Sequence, residues 1–344
     1  MHSLTFQRCL QTALATGICF GMLAPSWATD SVEPVPDFPI AELSVQETVT
    51  AGKEPVAAEE EAVQTEEFLH ITELLAGNGL TQDQTDALCI RLAADNSLLT
   101  LLEQGELTGP DLIYLAMSNG WASRLDRYSA WAAKYPDTAA ETVVFQVNMD
   151  QDRDFYTKTK TVANPDSLTV LVNKHHFLPI EYTPKLETLG SRYGSGSLRP
   201  EAAQAFRTMA DAAWAEGVSL RSVSAYRSYQ QQTNLYNGYL KRDKQASVDT
   251  YAARPGASEH PTGLALDINV ASTSAHFENT PAFAWLKANC AQYGFILRYD
   301  QGKESLTGYR FEPWHYRYVG TEIAKTCMEQ GICYEEYLAL RPEA

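Results

Sequence analysis

Between residues 68 and 142 the apolar positions recur at three- and four-residue intervals. Ile71, Leu74, Leu75, Leu80, Leu88, Ile90, Leu92, Leu98, Leu99, Leu101 and Leu102 carry this rhythm, which is that of helices burying one face. Thr81 and Thr108 are placed as N-caps, the latter with Pro110 in the first turn. The spacing predicts several short helices in a small bundle, with Tyr114, Trp121, Tyr128 and Trp131 in its core. From residue 143 the pattern changes. Short β-rich runs start at Val143, Leu168 and Ser219, and helical patterns alternate with them at Glu201–Glu216 and Thr280–Tyr293. Without a regular strand–helix–strand beat, the pattern predicts an α+β fold rather than a doubly wound parallel sheet.

The first residues follow neither rhythm. Arg8 precedes a 13-residue apolar run, Thr12–Ala24, and Ser26-Trp27-Ala28 offers small residues for cleavage. Spanning a bilayer takes roughly 20 residues, so residues 1–28 are expected to be a cleaved export signal. The net charge of −16 is concentrated just beyond it. Residues 30–67 hold eleven acids and one lysine, a balance of −10. Residues 29–67 are therefore predicted as an acidic, disordered linker. It would be either a spacer or a solvated tail. Any membrane or wall association is expected through this N-terminal region. The acidic balance leaves no basic stripe for nucleic acid.

Cleavage would leave Cys89, Cys290, Cys327 and Cys333. Export permits disulfides, and one bridge among Cys290, Cys327 and Cys333 is expected. Cys89 reads as a buried small hydrophobe on a helix.

Two segments carry concentrated chemistry. In the first, Pro255, Gly256, Pro261 and Gly263 make a loop around Ser258-Glu259-His260, which enters a strand, Leu264–Val270, containing Asp267. An acid in an apolar strand is costly unless it is paired or binds a metal. His plus carboxylate suits zinc. The second, Glu312-Pro313-Trp314-His315-Tyr316-Arg317-Tyr318, offers a third ligand in His315. A turn at Pro313 would bring Glu312 to the same side. A catalytic zinc wants three protein ligands, an open position and a nearby carboxylate to accept a proton. A third element, Tyr226-Arg227-Ser228 followed by Gln232, places an arginine at a strand end, where it can donate a forked pair of hydrogen bonds. Ser228 there is also a helix-cap candidate.

Together these elements resemble the VanY-type D-alanyl-D-alanine carboxypeptidases, zinc peptidases of bacterial cell walls. The Ser-x-His-x-x-Gly-x-Ala-x-Asp pattern is met by Ser258, His260, Gly263, Ala265 and Asp267. The Glu-Pro-Trp-His-Tyr-Arg-Tyr-Val pattern is met by Glu312 to Val319. Tyr226 to Ser228, the Leu171 and Leu178-Pro179 segments and the strand from Tyr293 also match, over roughly residues 150–340. The resemblance implies that His260, Asp267 and His315 bind one Zn²⁺. Glu312 would be the general base, and Arg227 would stabilise the oxyanion. Ser258, Tyr226, Ser228 and Gln232 would shape the substrate pocket. It implies a small, mostly antiparallel sheet with flanking helices over residues 143–344, acting outside the cytoplasm on peptidoglycan stem peptides.

No serine has a lysine three residues later and no His-Glu-x-x-His is present, so a serine DD-peptidase and an ordinary zincin are excluded. Removal of a terminal D-alanine is the expected reaction. An LD-carboxypeptidase, an endopeptidase and an inactive wall-binding module stay open as alternatives. No role for residues 68–142 is legible.

Overall fold

The computed structural model describes residues 57–343 apart from Ser272. The expected signal peptide and most of the linker lie outside them. The chain forms two compact units: one ends at Asn148 and takes up Ala339–Ala344, the other is Met149–Leu338. Among the described residues no helix is long and apolar enough to cross a membrane.

The first unit is helical, with α1 (Ala57–Leu75), α2 (Gln82–Ala94), α3 (Asn96–Glu103), α4 (Gly109–Leu115), α5 (Leu125–Lys134) and α6 (Ala140–Asn148). Thr81 caps α2 in a reciprocal box with Gln84, and Thr108 caps α4 with Pro110 in its first turn. Ile71, Leu88, Leu92 and Leu112 are fully buried in one cluster, and Cys89 packs among them. A second cluster joins Tyr114, Tyr128 and Trp131 to Val143, Val144 and Val147.

That second cluster corrects the strand expected at Val143. The run is helix α6, because Val143, Val144 and Val147 share one helical face and pack on Tyr128 and Trp131. Packing outweighs the β preference of valine. Helix α1 likewise starts inside the segment expected as linker, where an alanine- and glutamate-rich run favours helix.

The second unit is built on a four-stranded antiparallel sheet in the order β5-β6-β8-β7. Its strands are β5 (Arg221–Ser224), β6 (Ala265–Asn269), β7 (Phe295–Leu297) and β8 (His315–Tyr318). Two short pairs precede β5: β1 (Lys160–Thr161) with β2 (His176–Phe177), parallel, and β3 (Glu187–Thr188) with β4 (Ser197–Leu198), antiparallel. The helices are α7 (Pro200–Ala215), α8 (Tyr229–Leu240), α9 (Gln245–Val248), α10 (Pro281–Asn289), α11 (Glu304–Thr307), α12 (Thr321–Gln330) and α13 (Tyr334–Ala339).

Strand alternation divides this sheet into two chemistries. Leu266, Ile268, Phe295, Leu297 and Tyr316 join the core formed with α7 through Ala203, Phe206, Met209 and Ala210. The intervening residues Asp267, His315, Arg317 and Arg298 belong to the other face. Phe206 is fully buried. Phe206→Ala should lower the unfolding free energy by about 3–5 kcal/mol, checked by chemical denaturation.

Two further expectations change. The run from Leu168 is not a strand; the Arg317 guanidinium takes the Leu168 and Val170 carbonyls, at 3.0 and 2.9 Å, which a neighbouring strand would otherwise use. Among the described residues the expected disulfide is not formed: Cys290, Cys327 and Cys333, like Cys89, are buried without a disulfide bond. Cys290 and Cys327 are drawn into different apolar clusters.

Candidate active site

Asp267 at the centre of β6 lies directly opposite His315, the first residue of β8. The cross-strand pair therefore points to one face. His260 reaches the same point from a single 3-10 turn, His260–Thr262, closed by Gly263 at φ +68. A Cβ on Gly263 would lie 3.1 Å from both Arg199 and Leu186 side chains, so this turn needs glycine on two counts.

One donor atom from each of His260, Asp267 and His315 lies within 4.8 Å of the others, a group that could hold a metal ion. His260 Nε2 is 3.6 Å and His315 Nδ1 is 3.5 Å from the same oxygen, Asp267 Oδ1. That oxygen is buried and has no hydrogen-bond partner. The other nitrogen of each ring is already engaged. His260 Nδ1 lies 2.7 Å from the Ala225 carbonyl, and His315 Nε2 lies 3.3 Å from Glu259 Oε2. These contacts fix ring orientation and leave His260 Nε2 and His315 Nδ1 facing Asp267.

Glu312 completes the group. Its backbone N–H donates to the Tyr299 carbonyl (3.0 Å) and its own carbonyl accepts from the His315 N–H (3.1 Å). The resulting turn brings Glu312 Oε2 within 3.6 Å of His315 Nδ1. Burial pushes the Glu312 carboxyl up to about 7; His315 opposes this and the Asp267 charge adds to it.

Of the residues expected to contact substrate, Arg227, Gln232 and Ser258 line the cleft of about 150 Å³ that contains this group. Arg227 Nη1 donates to Gln232 Oε1 (2.6 Å), and Gln232 Nε2 donates to the Ala253 carbonyl (2.7 Å). Gln232 thus holds Arg227 in place, with Nη2 3.9 Å from Asp267 Oδ2. Tyr226 and Ser228 are not among the lining residues. The Ser228 hydroxyl is used as the cap of α8, accepting from Gln231 N–H at 3.2 Å, and the Tyr226 N–H donates to Ser197.

Sequence reasoning gave no role to Glu259, Arg298, Arg317 and Glu335, which form a buried ionic group behind His315. Glu259 Oε1 accepts from Arg298 Nε (2.8 Å) and Arg317 Nη1 (2.9 Å), all with side chains fully shielded from solvent. Arg298 is also gripped through two nitrogens by Glu335 of α13, at 2.8 and 2.7 Å. Burial alone would raise the Glu259 carboxyl, but Arg298 and Arg317 hold it well below the usual carboxylate range. A signal was present: Glu259 and Arg317 sit inside the two motifs that contain the histidines.

Residues 195–321 match the VanY family, D-alanyl-D-alanine carboxypeptidase. The putative carboxypeptidase YodJ of Bacillus subtilis is 40% identical over 195 residues, 52% of this chain and 69% of that protein. The bifunctional D-Ala-D-Ala dipeptidase and carboxypeptidase VanXYC of Enterococcus gallinarum is 33% identical, over 48% of this chain and 91% of its own. Among solved structures, that of the LD-carboxypeptidase LdcB aligns with a TM-score of 0.51 and 36% identity, covering 55% of this chain and 93% of LdcB. The chain belongs to the VanY family of D-alanyl-D-alanine carboxypeptidases.

Proposed function

We propose that this chain is a zinc carboxypeptidase that removes the C-terminal D-alanine from peptidoglycan stem peptides. The observation that carries this reading is the unpartnered Asp267 Oδ1 between two histidine nitrogens 3.5–3.6 Å away. A tetrahedral zinc with ligands at about 2.0–2.2 Å separates its donor atoms by roughly 3.4 Å, so His260 Nε2, Asp267 Oδ1 and His315 Nδ1 fit that ion. When bound, zinc supplies Lewis acidity toward water and the scissile carbonyl.

The chain's own residues supply the rest. Glu312 takes a proton from the attacking water, whose oxygen bonds to the carbonyl carbon. Arg227 donates hydrogen bonds to the carbonyl oxygen as negative charge gathers there. As the carbon–nitrogen bond breaks, Glu312 returns the proton to the leaving amine. A carboxyl near 7 is suited to both transfers. His260→Ala is expected to lower zinc content from one per chain to near zero by elemental analysis; unchanged content would remove His260 from the ligand set.

The similarity to LdcB supports a second reading, with the same residues acting on an LD-linked terminus. Incubating the zinc-loaded chain with muramyl pentapeptide and tetrapeptide, followed by mass spectrometry, separates the readings. Loss of one D-alanine from pentapeptide supports the first. Loss only from tetrapeptide supports the second. No change in either with zinc bound would leave a wall-binding role. On either enzyme reading the protein works outside the cytoplasm, exported by residues 1–28 and spaced from the envelope by the acidic segment after them.

A further inference from the structure

A second, larger groove of about 530 Å³ adjoins the metal-site cleft. Tyr309 lines both. Arg310, on the rim of the groove, lies 4.5 Å over the ring of Tyr251, which lines the cleft. The cleft, at about 150 Å³, takes a small terminal residue. The rest of a bound peptide must leave it, and the groove is the adjoining space.

The groove is built around a buried cation. Lys174 is 3% exposed. Its Nζ donates to the carbonyls of Asp249 (2.7 Å) and Gly308 (2.5 Å). The rings of Phe155, Tyr156 and Tyr309 surround it at 4.9, 5.3 and 4.4 Å. Gly308, at φ +78, makes the seat: a Cβ there would lie 2.8 Å from Lys174 Nζ. Arg254 of the same groove is paired with Asp249 at 2.6 Å. Lys174 and Arg310 form no ion pair with a carboxylate among the described residues. Burial pushes the Lys174 ammonium down to about 8; the Arg254 charge adds to this and the Asp249 charge opposes it.

We propose that this groove binds the upstream part of the stem peptide and, through Lys174 and Arg310, selects a residue that carries a free carboxylate. The inference rests on the peptide-hydrolase reading above and adds the substrate class. Reach is sufficient. The Tyr309 ring is 4.8 Å from Tyr299, and Tyr299 is 4.9 Å from His315. Lys174 Nζ is thus no more than about four extended residues from the metal site. Glu304, on the same rim, repels an acid placed against it, so the carboxylate faces the Lys174 and Arg310 side.

The test is kcat/KM for stem pentapeptides, or tetrapeptides if only those are cleaved, whose second or third residue carries a free carboxylate or the corresponding amide. At least one amidation should lower kcat/KM about tenfold, as expected for a lost charge-assisted contact. Arg310 is exposed, so Arg310→Ala should fold, and it should bring the acid-to-amide ratio to near one. Equal rates for acid and amide at both positions would overturn the proposal. So would a preference that survives Arg310→Ala intact. No hydrolysis of any peptide by the zinc-loaded chain would overturn the enzyme reading instead.

Discussion

Glu312→Gln is expected to lower kcat on the cleaved stem peptide by about 10²–10⁴-fold, with zinc content unchanged at one per chain. The reasoning is positional. Glu312 lies beside the three proposed ligand residues, 3.6 Å from His315, and is the carboxylate left over if Asp267 is a ligand. Glutamine keeps the shape and cannot take a proton. Stability gives an independent readout. Burial raises the Glu312 carboxyl from 4.5 to about 7, so the folded state binds its proton more tightly than the unfolded chain. That contribution is fully present below the unfolded value and is lost as pH rises through about 7. Metal-free Glu312→Gln should therefore be more stable than the native chain at pH 8, by about 3 kcal/mol. A variant that lost activity and also lost zinc would make Glu312 a ligand. One that kept full activity would remove it from proton transfer.

Glu259→Gln should lower stability by about 3–5 kcal/mol, since Arg298 and Arg317 would share an uncompensated buried charge. Both guanidiniums are fully buried and both donate to Glu259 Oε1. The same substitution should weaken zinc binding by about 10–100-fold, because Glu259 orients His315 through Nε2. Denaturation and competition with a chelator measure the two effects separately. Lost stability with unchanged zinc affinity would make Glu259 purely structural. No change in either would show that the buried ionic group is dispensable.

The histidine and carboxylate set was legible because its chemistry is written locally. Asp267 interrupts an apolar strand, His260 sits in a proline- and glycine-bound loop, and Glu312 and His315 flank a turn. Such local features name residue types with few other uses. The ionic group behind them was not legible. Its members come from four separate places in the chain, and an isolated Glu or Arg reads as surface. Only the strand register shows that Arg317 and His315 share a face and that Arg298 follows β7 onto it. The same limit explains Val143. Its β-branched run favours a strand locally, and the helix depends on Tyr128 and Trp131 being in reach.

Ser228 shows the limit from the other side. A serine after an arginine suits either a pocket or a helix cap. The hydroxyl is used in the cap, because the first turn of α8 leaves N–H groups in need of an acceptor. The absent disulfide has a similar cause: sequence proximity of the cysteines did not place them in one apolar cluster.

By itself, the sequence determined the α+β class, the helical unit before it, the capped helix starts and the identity of the residues around Asp267, because periodicity and residue chemistry act over a few positions. The tertiary structure alone decided that Asp267 Oδ1 is buried without a partner between two oriented imidazoles, that Glu259 anchors one of them, and that Lys174 is buried in the groove adjoining the cleft. Those facts depend on register, burial and distance between segments far apart in the chain, and none of the three is carried by local sequence.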